Sequence, residues 1–187
     1  GDKSRATIVF PEGEHSKILR AAKVIREEGI AEPILLGNEE LIRARMEELG
    51  LCEALDGVQV IRPSESPWRS EFAKRLTDKR QRKGVTLSLA MDWMKQSNYF
   101  GSMMVETGKA DGLLSGISMS YPDTIRPALQ VIGAKPGSRL AGLYMMIMKN
   151  RVLWFADTTV TIEPTAEELA NIAIQTADFA RRTMAAE

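Results

Sequence analysis

Cysteine and histidine are almost absent from these 187 residues, each occurring once, as Cys52 and His15. A lone thiol excludes an intramolecular disulfide framework and agrees with a reducing compartment. One histidine beside one cysteine leaves no zinc site and no Cys–His or Ser–His dyad with a choice of partners. Net charge is also missing, because 25 Lys and Arg balance 25 Asp and Glu. There is therefore no global electrostatic case for nucleic acid or an anionic membrane, and any anion binding must be local. No apolar run reaches membrane-spanning length, and the opening Gly1-Asp-Lys-Ser-Arg5 is charged rather than signal-like, so a cytoplasmic protein is expected. A start at glycine, before a charged tether leading into a strand, suggests a piece of a longer chain. Repeats, low-complexity segments and a Gly-x-Gly-x-x-Gly dinucleotide fingerprint are all lacking.

What the chain does contain is periodic. Hydrophobic residues make up 44% and charged residues 27%, as in an ordinary globular protein. The length suffices for one domain with a sizeable core, or for one and a half smaller ones. Residues 7–10, β-branched and aromatic and closed by Pro11-Glu-Gly13, read as a buried strand entering a turn. From Ser16 the apolar residues Ile18, Leu19, Ala22, Val24 and Ile25 follow helical spacing up to a stop at Gly29. A second strand over 33–37, a helix capped by Asn38 and ended by Gly50, and a third strand over 58–61 continue the rhythm. Helices are expected over 68–81, 86–94 and 98–107, then a strand over 112–115 and a helix over 124–132. This alternation predicts an α/β fold with a doubly wound parallel sheet. The rhythm then breaks. Residues 140–148 and 152–156 read as antiparallel strands joined by a Lys149-Asn150 turn, which puts a boundary near Gly137. Residues 1–136 would form a first α/β domain and 137–187 the start of a second. Thr165-Ala-Glu-Glu168 is a capping box opening a last helix to about Thr183. One hairpin is poor cover for its face of Leu169, Ile172, Ala173, Thr176 and Phe179, so the second domain is expected to be incomplete and this face to promote dimerisation.

The stretch richest in chemistry is Asp111-Gly-Leu-Leu-Ser-Gly-Ile-Ser-Met-Ser-Tyr-Pro-Asp-Thr-Ile-Arg-Pro127. It reads as a small-anion or phosphate pocket at the C-terminal end of a strand. Gly116 lets backbone approach a ligand, Ser118, Ser120 and Thr124 offer hydroxyls, and the following helix start favours negative charge. Arg126 adds a fork of fixed donors. Strand-glycine-turn-helix junctions are also common in α/β domains, where such an arginine is equally a solvated surface residue. His15 could contact phosphate or simply face solvent at a helix start. Asp157 could be a functional carboxylate or a turn cap. The Lys74, Arg75, Lys79, Arg80, Arg82, Lys83 cluster is interrupted by acidic residues and spread over more than one helical face. A solvated face with one or two ligand-binding members explains it better than a nucleic-acid patch. The ten methionines and Cys52 read as core filler.

In order and spacing, Phe10-Pro-Glu-Gly-Glu14, Arg80-Gln-Arg-Lys-Gly84, Asp111-Gly-Leu-Leu-Ser-Gly116, Asp123-Thr-Ile-Arg-Pro127, and Phe155-Ala-Asp157 followed by Pro164-Thr-Ala-Glu-Glu-Leu-Ala170 resemble the phosphate acetyltransferase (phosphotransacetylase) family. The match covers essentially the whole chain. It implies two α/β domains of the isocitrate dehydrogenase type, with coenzyme A in the cleft between them, in a homodimer. Within that family the chain looks more like the C-terminal domain of NADP-dependent malic enzymes, oxaloacetate-decarboxylating malate dehydrogenases in which this fold serves as an acetyl-CoA-sensing regulatory and oligomerising module. Met119 stands where true acetyltransferases tend to carry a histidine, and a tight turn at Lys149 replaces a cysteine-bearing insertion. That reading implies acetyl-CoA as ligand, no cofactor on this piece, and NADP with a divalent metal on an upstream part. The alternative is a truncated catalytic phosphate acetyltransferase. On either reading Arg80, Lys83 and Arg126 are expected to line one anionic pocket with Ser115, Gly116, Ser120 and Thr124, taking acyl-CoA or phosphate. No catalytic residue and no metal ligand is assigned. With one wall of the cleft missing, this piece is expected to bind acetyl-CoA more weakly than its parent, by about two to three decades.

Overall fold

Residues Thr7–Phe10 form β1, flanked in register by β2 (Glu32–Leu36) on one side and the short β4 (Gly112–Leu113) on the other; β3 (Gln59–Ile61) pairs with β2. All three pairings are parallel and the order is β3-β2-β1-β4. The computed structural model describes residues 5–134 and 140–184, so the charged tether over 1–4 and the boundary near Gly137 lie outside the described residues. The chain divides into two compact units, Gly1–Gly133 and Ala134–Glu187.

Side-chain alternation along the strands supplies both faces of the first unit's sheet. Val9, Ile34 and Leu36 point into one hydrophobic cluster, with Phe72, Ala73 and Leu76 of α3 (Arg69–Arg80), Ala90 of α4 (Leu87–Trp93) and Phe100, Met103 and Met104 of α5 (Ser97–Glu106). Their neighbours Phe10 and Leu35 point the other way, into a cluster with Ile18, Leu19 and Ala22 of α1 (Ser16–Glu27) and Ile42 and Met46 of α2 (Glu39–Glu48). Helices thus cover both faces, as the strand-helix rhythm predicts. Asn38 caps α2 as expected, its Oδ1 accepting from the Glu40 and Leu41 N–H groups.

Some details differ from expectation. The strand expected over 112–115 pairs only at Gly112–Leu113 and leaves Leu114 exposed. The helix α6 (Tyr121–Val131) begins three residues before the predicted 124, because Ser120 caps it and Pro122 sits in its first turn, where a missing N–H costs nothing. Cys52 is exposed rather than core filler: after α2 ends, Leu51 and Leu55 take the buried positions and leave the thiol in solvent.

The second unit pairs β5 (Leu143–Met148) with β6 (Arg151–Ala156) as an antiparallel hairpin, followed by α7 (Ala166–Met184). The capping box forms: the Glu168 carboxylate accepts from the Thr165 N–H, and the Thr165 hydroxyl from the Glu168 N–H. Trp154 packs edge-on against Phe179, and Ile172 is buried. Met145, Met146 and Met148 are about half exposed, so the core-filler reading holds for Met46, Met94, Met103 and Met104 but not for this hairpin.

Candidate functional site

The chain builds β1, β2 and β3 outward in one direction and then returns to add β4 on the opposite side of β1. In open α/β sheets the crevice beyond the carboxyl ends of the strands at such a reversal is where ligands bind. Two loops meet there, the Pro11-Glu-Gly-Glu14 turn after β1 and residues 114–120 after β4.

Glu12 joins them. Its Oε2 accepts from the Gly116 N–H (2.7 Å) and the Ile117 N–H (3.1 Å), with the Ser115 hydroxyl oxygen 3.3 Å away. Its Oε1 accepts from the Ser118 N–H (2.6 Å) and hydroxyl (2.7 Å). The side chain is only 8% exposed. Burial by itself would raise the carboxyl's pKa, but the Ser118 hydroxyl and the three N–H groups outweigh it and hold the pKa down at about 2. Gly13 allows this placement: its N–H donates to the Leu36 carbonyl at 3.1 Å, and a Cβ there would lie 2.7 Å from that oxygen. Gly116, at φ +119°, adopts a backbone conformation that side chains disfavour. The turn that reads as an anion pocket is therefore occupied by an anion of the protein itself.

Asn98, buried in α5, holds the next segment. Its Oδ1 accepts from the Ser115 hydroxyl (2.8 Å), and its amide donates to the Met119 sulfur and to the Asp123 carbonyl, each at 3.1 Å. Beyond that clamp α6 starts. Ser120 caps it, its hydroxyl also bonding the Asp123 carboxylate, and the Thr124 hydroxyl donates to the Ser120 carbonyl. Arg126, exposed, lines a cleft of about 670 Å³ with Trp93, Tyr99, Met119, Asp123 and Gln130. Trp93 stacks on Tyr99 at 4.8 Å, and the Tyr99 hydroxyl donates to the Gln130 side chain. Burial pushes the Tyr99 phenol above its ordinary pKa, while the charge of Arg126 pulls the other way.

The two arginines expected to share a pocket are held differently. Arg80 donates from Nε to the Gln130 carbonyl (2.7 Å) and from Nη2 to the Leu129 carbonyl (2.6 Å). Lys79 reaches the Val131 and Ile132 carbonyls. Both cations satisfy the carbonyls left open where α6 ends. Lys83 is exposed on the 3-10 turn Gln81–Lys83. Of the residues expected to share one pocket, only Arg126 lines this cleft; Arg80, Lys83, Ser115, Gly116, Ser120 and Thr124 do not. His15 caps α1, its Nδ1 accepting from the Lys17 N–H, and with Arg45 and Ser118 lines a second cleft of about 450 Å³. In the second unit Asp157 proves to be a turn cap, accepting from the Gly142, Thr159, Val160 and Thr161 N–H groups. Among the described residues no group of three or more His, Cys, Asp or Glu could hold a metal ion.

Sequence reasoning located the 111–127 segment but missed Glu12 and Asn98 as its supports. Glu12 stands inside the Phe10-Pro-Glu-Gly-Glu14 motif; an acidic residue at the end of a buried strand, next to a glycine, was the available signal. Nothing in local spacing marks Asn98.

A family model described as "Phosphate acetyl/butaryl transferase" matches residues 2–187. The phosphate acetyltransferase of Nitratidesulfovibrio vulgaris is 42% identical over 180 residues, covering 96% of this chain and 25% of that protein. That of Thermoanaerobacterium thermosaccharolyticum is 37% identical over 191 residues, covering 98% and 57%. The crystal structure of a phosphotransacetylase from Streptococcus pyogenes superposes with a TM-score of 0.88 at 38% identity, covering 95% of this chain and 54% of that one. The chain thus spans from a quarter to a little over half the length of these proteins. These matches overturn the expectation of a malic-enzyme regulatory domain and of an oxidoreductase: relatives 37–42% identical over nearly all of the chain are named phosphate acetyltransferase. Met119 and the tight turn at Lys149 were not sufficient grounds for the other branch. The expectation of NADP and a divalent metal upstream rested on that branch alone.

Proposed function

Because the chain belongs to the phosphate acetyl/butaryl transferase family, we propose that it forms part of an acyltransferase moving an acetyl group between coenzyme A and inorganic phosphate. The observation that carries this reading is Arg126 in an open cleft between α5 and α6, the helix that follows the turn beyond β4. The reaction needs no metal or organic cofactor. A phosphate oxygen attacks the thioester carbonyl, the C–O bond forms, and the tetrahedral oxyanion collapses with loss of the thiolate, which takes a proton. What protein must supply is a dianion held beside the thioester and donors for the developing charge. Arg126 offers the planar fork suited to phosphate; the Ser120 and Thr124 hydroxyls are engaged in capping the start of α6. Trp93 and Tyr99 give the same cleft an aromatic wall for an apolar portion of the acyl-CoA. Lys83 contributes positive charge at the end of α3, and Arg80 fixes α6 from its C-terminal end. The isocitrate dehydrogenase-type two-domain plan, coenzyme A between the domains, a homo-oligomer and a cytoplasmic setting belong to the same proposal. The test is acetyl phosphate formation from acetyl-CoA and phosphate by the protein that carries this chain. Turnover is expected, falling about a hundredfold or more in Arg126→Ala; no turnover, or turnover indifferent to Arg126, refutes the reading.

A further inference from the structure

We propose that Glu12 is a positioning residue: by binding the turn at 116–118 from across the sheet's reversal point, it sets where Ser120, Thr124 and Arg126 stand. The inference rests on the acyltransferase reading for its functional half and on geometry for the rest. Four donors from three consecutive residues, 116–118, converge on this one carboxylate, whereas no regular ladder holds them, since β4 ends at Leu113. The Leu114 N–H still pairs with the Val9 carbonyl, so the strand registration stops two residues before these bonds to Glu12 begin. Between them and α6 lie only Met119 and the cap Ser120. A shift of the turn therefore reaches the first turn of the helix that carries Arg126 through these two residues and through Asn98, which bonds Ser115, Met119 and the Asp123 carbonyl. Glu12 is itself pinned, because Gly13 lies against the Leu36 carbonyl of β2 and the Glu14 carboxylate accepts from the Asn38 N–H at 2.7 Å. Glu12 thus ties the end of β1 to the turn at 116–118, and Asn98 carries the connection on to the start of α6 through Met119 and the Asp123 carbonyl.

The chemistry makes the residue type specific. Each carboxylate oxygen accepts from a backbone N–H, Oε2 from Gly116 and Ile117, Oε1 from Ser118. A glutamine of the same shape must aim an NH2 group at one of these N–H sets, so the isosteric change cannot preserve the clamp. An aspartate is one methylene short.

The experiment uses the protein that carries this chain, as wild type, Glu12→Gln, Ser118→Ala and Leu55→Ala, below the unfolding midpoint of each. Leu55, buried among α1 and α2 side chains, is the stability control. Backbone amide shifts and hydrogen exchange at 116–118, 120, 124 and 126 are read together with the KM for phosphate. In Glu12→Gln the expected result is lost protection at 116–118, displaced signals at 120, 124 and 126, and a KM for phosphate raised about ten- to a hundredfold, the scale of a 1 Å misplacement. Ser118→Ala, which removes only the hydroxyl donor to Oε1, should move the same signals less. Changes confined to 116–118 overturn the proposal, as does an equal KM rise in Leu55→Ala. If Glu12→Gln does not fold, Ser118→Ala decides by whether 120, 124 and 126 respond. If the wild type makes no acetyl phosphate, the functional reading fails while the amide signals still decide the positioning claim.

Discussion

The two units of this chain solve the burial problem to different degrees. In the first, the central strands β1 and β2 alternate between two hydrophobic clusters and helices close both faces, leaving Phe10, Phe72, Phe100 and Leu35 at 1% exposure or less. In the second, β5 leaves five of its six residues exposed, and among the described residues only Ile172 is a buried hydrophobic. A parallel sheet needs cover on both faces before it is stable, so its sequence carries the covering helices with it. A hairpin followed by a helix makes one layer on another and leaves the outward faces open. The site accordingly sits in the unit whose framework is already rigid, at the end of a sheet fixed from both sides.

Breaking either unit should therefore cost very different amounts. Phe72→Ala, which removes a ring 5.0 Å from that of Phe100, should destabilise by about 3–5 kcal/mol in denaturant melts. Ile147→Ser, at 74% exposure in β5, should stay within about 0.5 kcal/mol. Equal losses would refute the contrast.

The next effect is electrostatic. Glu12 is ionised in the fold down to about pH 2, against an ordinary 4.5, so the unfolded chain binds its proton first as pH falls. Its contribution, on the order of 2–3 kcal/mol, is fully present above about pH 4.5 and is lost as pH drops toward 2. Glu12→Gln should flatten the acid limb of a stability-pH curve; an unchanged limb contradicts the assignment. Asp157, also lowered to about 2 from 3.8 but more open to solvent, should give the second unit a weaker acid limb of the same sign.

How much of this was legible in the sequence depended on range. Strands β1 to β3, the Asn38 cap, the Thr165 capping box and the Lys149-Asn150 turn are written in neighbouring residues and stand close to where they read, whereas the strand read over 112–115 shortens to Gly112–Leu113. Glu12 touches residues more than a hundred positions away, and Asn98 reaches 17 to 25 positions ahead, so neither partner could be named without the sheet order. The bonds of Arg80 to the end of α6, 49 residues on, were out of reach for the same reason, since the motif that singled it out names no partner.

Arg80→Ala should accordingly lower stability by about 1–2 kcal/mol by uncapping α6, with a modest rise in the KM for phosphate. The reverse pattern, unchanged stability with phosphate use abolished, would make Arg80 a direct ligand. Smallest of all, Cys52→Ser should change neither stability nor turnover by a measurable amount, since the thiol is solvated; a loss above about 1 kcal/mol would show that it is packed.

The claim that ligand binding belongs to the end of the first unit's sheet is tested most directly by titrating inorganic phosphate into the isotope-labelled protein and following backbone amides together with arginine side-chain Nε–H signals. Saturable shifts at Ser120, Thr124 and the Arg126 Nε–H, with Arg80 little moved, are the predicted result. Shifts confined to 143–184, or centred on Arg80 and Lys83 with Arg126 silent, would contradict it.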